Sequence, residues 1–246
     1  MLVAPWTSRF HGTGMEAGPG ALAVALGGPA QEVPVDQGGP AVGALVAVTT
    51  AVTAEPGVPL ALLGECTLAP AVAAALQERH PGLALVWLDA HGDLNTPETS
   101  PSGFLGGMPF AILLGWCHPE LRPGPPLSVE RAALVGARDL DPGEVAAIVR
   151  SGLASVDGVA DALAVLPGDA PLWVHLDGDV LDPAEAPGVD FPAPGGWTAE
   201  RLLDECGALA ATGRVVGVSV CCGNPERDPD GRGARAYAAA VRALLA

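Results

Sequence analysis

Short apolar runs bounded by turn residues alternate along the chain with longer Ala- and Leu-rich segments. The short runs are Pro59–Leu63, Leu83–Leu88, Ala132–Val135, Leu172–Leu176 and Val215–Val220. Their length and near-continuous apolarity predict strands buried on both faces. Between them, Leu68–Arg79, Phe104–Trp116, Pro142–Arg150, Ala199–Ala211 and Arg232–Leu245 are expected as helices. Pro142 and Thr198 stand where a helix start favours a proline or a side-chain cap. Alternation of this kind predicts an α/β fold, a mostly parallel sheet with helices on both faces. Gly27–Pro40 and Pro119–Pro126, rich in Gly and Pro, read as surface loops. No internal repeat or charged linker divides the chain, so a single domain over residues 1–246 is expected.

The polar residues gain meaning from where they fall relative to the strands. Asp89-Ala90-His91-Gly92-Asp93-Leu94-Asn95 directly follows one expected strand, and Asp177-Gly178-Asp179-Val180-Leu181-Asp182-Pro183 directly follows another. Ligand sites of open parallel sheets lie at the carboxyl ends of the strands, so the two clusters should converge there. In extended chain, residues two apart point to one side. Asp89, His91 and Asp93 would then present three ligands to one place, and Asp177 and Asp179 two more. Asp and Gly after a strand are also ordinary turn chemistry. So many carboxylates in one crevice, however, repel one another unless cations neutralise them. Four Asp and one His are enough for two divalent ions sharing ligands.

Composition narrows the partners. The 246 residues include 28 acidic and 12 basic side chains, a formal charge of -16, and every basic residue is Arg. That balance argues against nucleic acid or an anionic membrane surface, which need clustered positive charge. A chain of this length with 49% hydrophobic residues can bury a large core. No apolar stretch approaches the ~20 residues of a membrane span, and no secretory leader is legible. Cys66, Cys117, Cys206, Cys221 and Cys222 are an odd number without framework spacing, so free thiols in the cytoplasm are expected.

The two Asp-rich motifs resemble the paired metal signatures of the arginase (ureohydrolase) family. Other segments follow the family in order: Gly12 to Leu22, Thr96-Pro97 through Gly107-Met108-Pro109, Arg138 to Glu144, Pro194 to Thr198, and Asn224-Pro225. The resemblance implies a three-layer α/β/α fold, a trimer or hexamer, and a pair of divalent ions, manganese above all. It also implies hydrolysis of a guanidino or amidino C–N bond. By the same resemblance, Asp89 and Asp177 bridge the ions, His91 and Asp179 complete one site, and Asp93 serves the other. Asp179 also takes the catalytic role of shuttling a proton to the leaving nitrogen. Asn95, Ser102 and Asp141, with Glu144 in support, fall where arginases hold the amino-acid end of arginine. Asp182 is expected to shape its loop.

Three departures bear on the chemistry. Gly64-Glu65-Cys66-Thr67 stands where arginases have a ligating His. Cys66 can ligate as a thiolate, which shifts the preference toward zinc or iron, or it can be a buried structural thiol. Gly106 replaces a proton-relaying His, for which His118 or His175 is a candidate substitute, although a satisfied core role is expected of His175. Cys222 occupies the place of a Glu that pairs with the substrate guanidinium, while Phe104 and Phe191 replace polar residues. A thiol cannot replace the charge-assisted bonds of a carboxylate. A less basic group, such as an N-hydroxyguanidine or a formimino group, is therefore the expected substrate. The rival reading is an arginase-fold protein that binds a small molecule or a partner subunit without hydrolysis. Cys221 and Cys222, adjacent at a strand end, are expected to point to opposite faces.

Overall fold

Alternate residues of each central strand enter different cores. Leu85 and Trp87 pack into one apolar cluster, while Ala84, Val86 and Leu88 pack into another. This two-sided burial is why the strand sequences read as continuous apolar runs. The computed structural model describes residues 1–10 and 14–246. Gly12, at the head of one family-like segment, lies outside them. In chain order the elements are β1 (Leu2–Ala4), α1 (Gly18–Leu26), β2 (Gln31–Glu32), α2 (Ala41–Ala54), β3 (Leu60–Leu63) and α3 (Ala69–Arg79). There follow β4 (Ala84–Leu88), α4 (Pro109–Leu113), β5 (Ala132–Val135), α5 (Pro142–Ser151), β6 (Ala154–Val156) and α6 (Val159–Val165). The last four are β7 (Leu172–Asp177), α7 (Ala199–Ala211), β8 (Val215–Cys221) and α8 (Arg232–Leu244).

Among the described residues the strands form one eight-stranded sheet in the order β2-β1-β3-β8-β7-β4-β5-β6, and every pairing is parallel. The chain builds one flank with β1 to β3, crosses to the other with β4 to β6, and fills the middle with β7 and β8. Buried residues of α2, α3 and α4 cover one face, and those of α1, α6, α7 and α8 the other. The expected three layers are therefore present. No helix among the described residues is long and apolar enough to cross a membrane.

Two expectations about elements need correction. Phe104–Trp116 is not one helix: a 3₁₀ turn at Leu105–Gly107 precedes α4, which covers only Pro109–Leu113. Gly106-Gly107 weaken helix propagation, Pro109 can only begin a helix, and Gly115 with φ 80° lies just past its end. The supposed loop Gly27–Pro40 contains β2, a two-residue exposed edge strand held by β1. Helix α2 carries no amphipathic signal in its run of Ala, Val and Thr; its β-branched residues disfavour a helix locally. Packing of Leu45, Val48 and Val52 into the core overrides that preference.

Candidate metal centre

The four middle strands, β3, β8, β7 and β4, each deliver chemistry from their carboxyl ends. Beyond β3, the Trp6 carbonyl leaves no room for a Cβ at position 64, which only glycine satisfies. Cys66 follows, buried at the head of a 3₁₀ turn that leads into α3. Beyond β4, Asp89 accepts a hydrogen bond from Trp87 Nε1 at 2.8 Å and from the His91 amide at 2.7 Å. Beyond β7, Asp177 accepts from the Asp179 amide at 2.9 Å, and Asp179 accepts from the Ala90 amide at 3.0 Å. Backbone amides thus aim these carboxylates before any cation arrives.

Three groups of donors converge among the described residues: Asp89, His91 and Asp179; Cys66, Asp89 and Asp93; and Cys66, Asp177, Cys221 and Cys222. The first two contain five of the six expected ligands, and Asp177 joins Cys66 in the third. Extended-strand alternation does not explain the convergence, contrary to expectation. The chain leaves the strand after Leu88, and Asp93 has a left-handed backbone with φ 52°. That loop turns Asp93 toward Cys66 while His91 Nδ1 lies 2.9 Å from Asp179 Oδ2.

The charges are crowded. Burial, reinforced by neighbouring carboxylates, pushes the carboxyls of Asp93 and Asp177 well above their usual range. Burial and the nearby Asp179 raise Asp89 to about 7. Burial also pulls at His91 and Asp179, but their mutual contact outweighs it. His91 is raised to about 12, and Asp179 is held below the ordinary carboxylate range. Asp93 Oδ2 is buried without a hydrogen-bond partner. A buried, unpaired acceptor is costly. Cations among these donors would remove both that cost and the repulsion, so the residues fit a pair of divalent ions.

These groups line a cavity of about 210 Å³ together with Asn95, Ser102, Asp141, Glu144 and Cys222. Asn95 Nδ2 donates to Asp141 Oδ2 at 2.8 Å. Glu144 is buried and accepts from the amides of Asp141 and Leu94, so it fixes the start of α5 and the metal loop at once. Ser102 is exposed at the rim, where its hydroxyl accepts from the Phe104 amide at 3.1 Å. Phe104 and Phe191 stack at 5.5 Å, and Phe191 meets His91 edge-on at 6.4 Å. Asp182 ties down its loop through the amides of Ala184, Gly195 and Gly196. A larger, mostly apolar groove of about 410 Å³ lies beside α1 and α8 and carries none of the six expected ligands.

Neither histidine proposed as a relay fits that role. His118 pairs with Glu120 and does not line the cavity. His175 is fully buried, stacked on Trp87 with centroids 3.8 Å apart and bonded through Nδ1 to Ser219 Oγ. Burial lowers its pKa to about 3. Space at position 106 is already filled by the Phe104 ring.

The cysteine expectation is also corrected. Cys221 and Cys222 do not diverge: their sulfurs lie 3.0 and 3.6 Å from Cys66 Sγ. Cys222 has φ 63°, so the alternation of the strand stops at Cys221 and the next side chain swings to the same side. Strand periodicity gives no warning of this, because a left-handed non-glycine residue has no sequence signature. Arg138 is likewise a positioning residue that sequence reasoning misses. Its guanidinium donates to the carbonyls of Gly136, Asp179, Val180, Leu181 and Ala193, binding the second motif to the loop after β5.

Comparison with known proteins agrees with this geometry. The arginase family matches residues 13–246. The N(omega)-hydroxy-L-arginine amidinohydrolase of Streptomyces lavendulae is 37% identical over 169 residues, 67% of this chain and 60% of that protein. The match thus spans less than two thirds of that relative's length. The arginase of Bacillus subtilis is 33% identical over 202 residues, 76% of this chain and 68% of that one. A crystal structure of arginase from Bacillus subtilis superposes with a TM-score of 0.90 at 28% identity, covering 99% of this chain and 96% of that chain. With the sheet order, the paired strand-end motifs and this coverage in agreement, the chain belongs to the arginase family.

Proposed function

We propose that this protein is a dinuclear-metal amidinohydrolase that cleaves the C–N bond of a guanidino-type group on an arginine-like amino acid. N-hydroxyguanidine is preferred over guanidinium. The observation that carries this reading is the convergence of Asp89, His91, Asp93, Asp177, Asp179 and Cys66 on one cavity, with Asp93 Oδ2 lacking any partner. Asp89, His91 and Asp179 offer oxygen and nitrogen donors that suit manganese, and Cys66 draws zinc or iron on its side. When bound, the two ions would acidify water and polarise the amidino carbon. Water then adds across the bond, its oxygen going to carbon and a proton to the departing nitrogen. Asp179 Oδ2 holds that proton in transit, oriented by the Ala90 amide and His91. At the other end of the cavity, Asp141 and Asn95, braced by Glu144, receive the ammonium and carboxylate of the amino acid, with Ser102 at the rim. Phe104 and Phe191 exclude water along one wall.

Cys222 supports the preference for a weakly basic group, since it lines the cavity where the two oxygens of a carboxylate would be needed to fork to a guanidinium. The amidinohydrolase relative acts, by its name, on N-hydroxyarginine. A homo-oligomer, trimeric or hexameric, and a reducing cytoplasmic setting belong to the same proposal.

The test uses protein stripped by chelator, reloaded with Mn, Zn or Fe, and offered arginine, N-hydroxyarginine and formimino amino acids. Metal-dependent release of urea or its N-hydroxy analogue, faster from N-hydroxyarginine than from arginine, is expected. Turnover of none of them with any ion would overturn the proposal. A metal-independent ligand that raises the melting temperature would then favour the binding rival.

A further inference from the structure

We propose that Cys66, Cys221 and Cys222, with a carboxylate oxygen of Asp177, form a thiolate site for one soft divalent ion of the zinc class. The four donor atoms all lie within 4.8 Å of one another. Cys66 Sγ is 3.0 Å from Cys221 Sγ, 3.6 Å from Cys222 Sγ and 2.9 Å from Asp177 Oδ2, and Cys221 Sγ is 3.4 Å from the same oxygen. Around a tetrahedral zinc, with Zn–S about 2.3 Å and Zn–O about 2.1 Å, donors stand roughly 3.5–3.8 Å apart. The sulfurs and oxygen therefore need to spread by less than ~1 Å to admit the ion. Soft thiolates select zinc-class ions over manganese.

Three separate strand ends build the site. Cys66 follows β3, Asp177 ends β7, and Cys221 ends β8; the left-handed turn at Cys222 adds the third sulfur. A neighbouring network is suited to thiolates. Trp173 Nε1 donates to Ser219 Oγ at 3.0 Å, and Ser219 Oγ lies 2.8 Å from His175 Nδ1. With the serine proton given to Nδ1, His175 carries its own proton on Nε2. That atom faces Cys66 Sγ at 3.5 Å and Cys221 Sγ at 3.4 Å. Outer donors of this kind orient and stabilise metal-bound ligands. Cys66 and Cys222 line the polar cavity, which gives the ion an entry path.

The site rests on the reading above only in sharing Cys66 and Asp177, and it can fill whether or not the cavity hydrolyses anything. Because those two donors are shared, the soft ion takes the Cys66 position of the pair, next to Asp93, and leaves Asp89, His91 and Asp179 for the harder ion.

The full chain, reduced and stripped, is titrated with Co(II) and with Cd(II). A sulfur-to-metal charge-transfer band should saturate at one ion per chain and be displaced by Zn(II). Cys221→Ser and Cys222→Ser should each lower it by about a third, as expected for three thiolates on one ion. Cys117→Ser and Cys206→Ser should leave it unchanged. Should either ligand variant fail to fold, alkylation of the unaltered chain answers the same question: Zn(II) should slow modification of Cys66, Cys221 and Cys222 relative to the stripped chain and leave the rates of Cys117 and the buried Cys206 unchanged. No sulfur band, a band of full strength in both ligand variants, protection of Cys66 alone, or a Cys66–Cys221 disulfide persisting under reductant would overturn the proposal. A full band without hydrolysis of any guanidino compound sinks the hydrolase reading alone. Hydrolysis with Mn and no sulfur band sinks this one alone.

Discussion

The two sides of the centre are held by different physics. On the Asp89–His91–Asp179 side, backbone amides of Ala90, His91 and Asp179 point at the carboxylates. The His91 and Asp179 amides act within their own turns, while the Ala90 amide reaches across to the second turn, which the pairing of β4 with β7 sets beside the first. On the Cys66–Cys221–Cys222 side, the sulfurs contact one another, Asp177 and His175, and what brings them together is strand pairing and core packing. The first side is pre-aimed for hard cations. The second depends on the strand order and on the left-handed turn at Cys222.

The sharpest way to break this contrast is Asp179→Ala. It removes a ligand and the proton carrier together, and hydrolysis should fall by at least ~10³-fold in a steady-state assay. The thiolate band should persist in the same variant; its disappearance would mean that the two sides are not separable. Cys222→Glu comes next. Restoring a carboxylate opposite a guanidinium should raise kcat/KM for arginine relative to N-hydroxyarginine by about tenfold or more, the worth of a charge-assisted bond. An unchanged ratio would show that position 222 does not face the substrate. Cys66→His exchanges sulfur for imidazole and should increase manganese retained after dialysis several-fold, measured by elemental analysis. Unchanged retention would say that the thiolate was never a ligand.

The smallest effect concerns stability and pH. Asp89 rises from 3.8 to about 7 on folding, so the folded, metal-free chain keeps a proton that the unfolded chain has released. That contribution is complete below about pH 4 and is lost as pH passes 7. His91, raised from 6.5 to about 12, acts in the same direction at higher pH. The melting temperature of chelated protein should therefore fall by a few degrees between about pH 5 and 8. Metal ions hold the ligands ionised and should abolish that fall. A rise in the chelated protein would contradict the crowding of carboxylates.

The oxygen side is legible in the sequence because its ingredients are local. Apolar runs mark β4 and β7, and the Asp-rich turns follow them directly, so adjacency in sequence is adjacency at the sheet's edge. Glu144, three residues after Asp141, also has a local explanation, since it closes back on the Asp141 amide at the start of α5. The thiol side is not legible in this way. Cys66 and Cys221 are 155 residues apart, and only the insertion of β8 between β3 and β7 brings them together. The direction of Cys222 depends on one backbone angle that composition and periodicity do not encode.

Residue type and short-range spacing are enough for the layered α/β class and the two carboxylate turns. The tertiary structure alone decided that three thiols share a point, that His175 faces two of them from the core, and that Arg138 joins two loops. Those outcomes depend on strand order and on left-handed turns. They are properties of the whole packed chain, and short segments do not specify them.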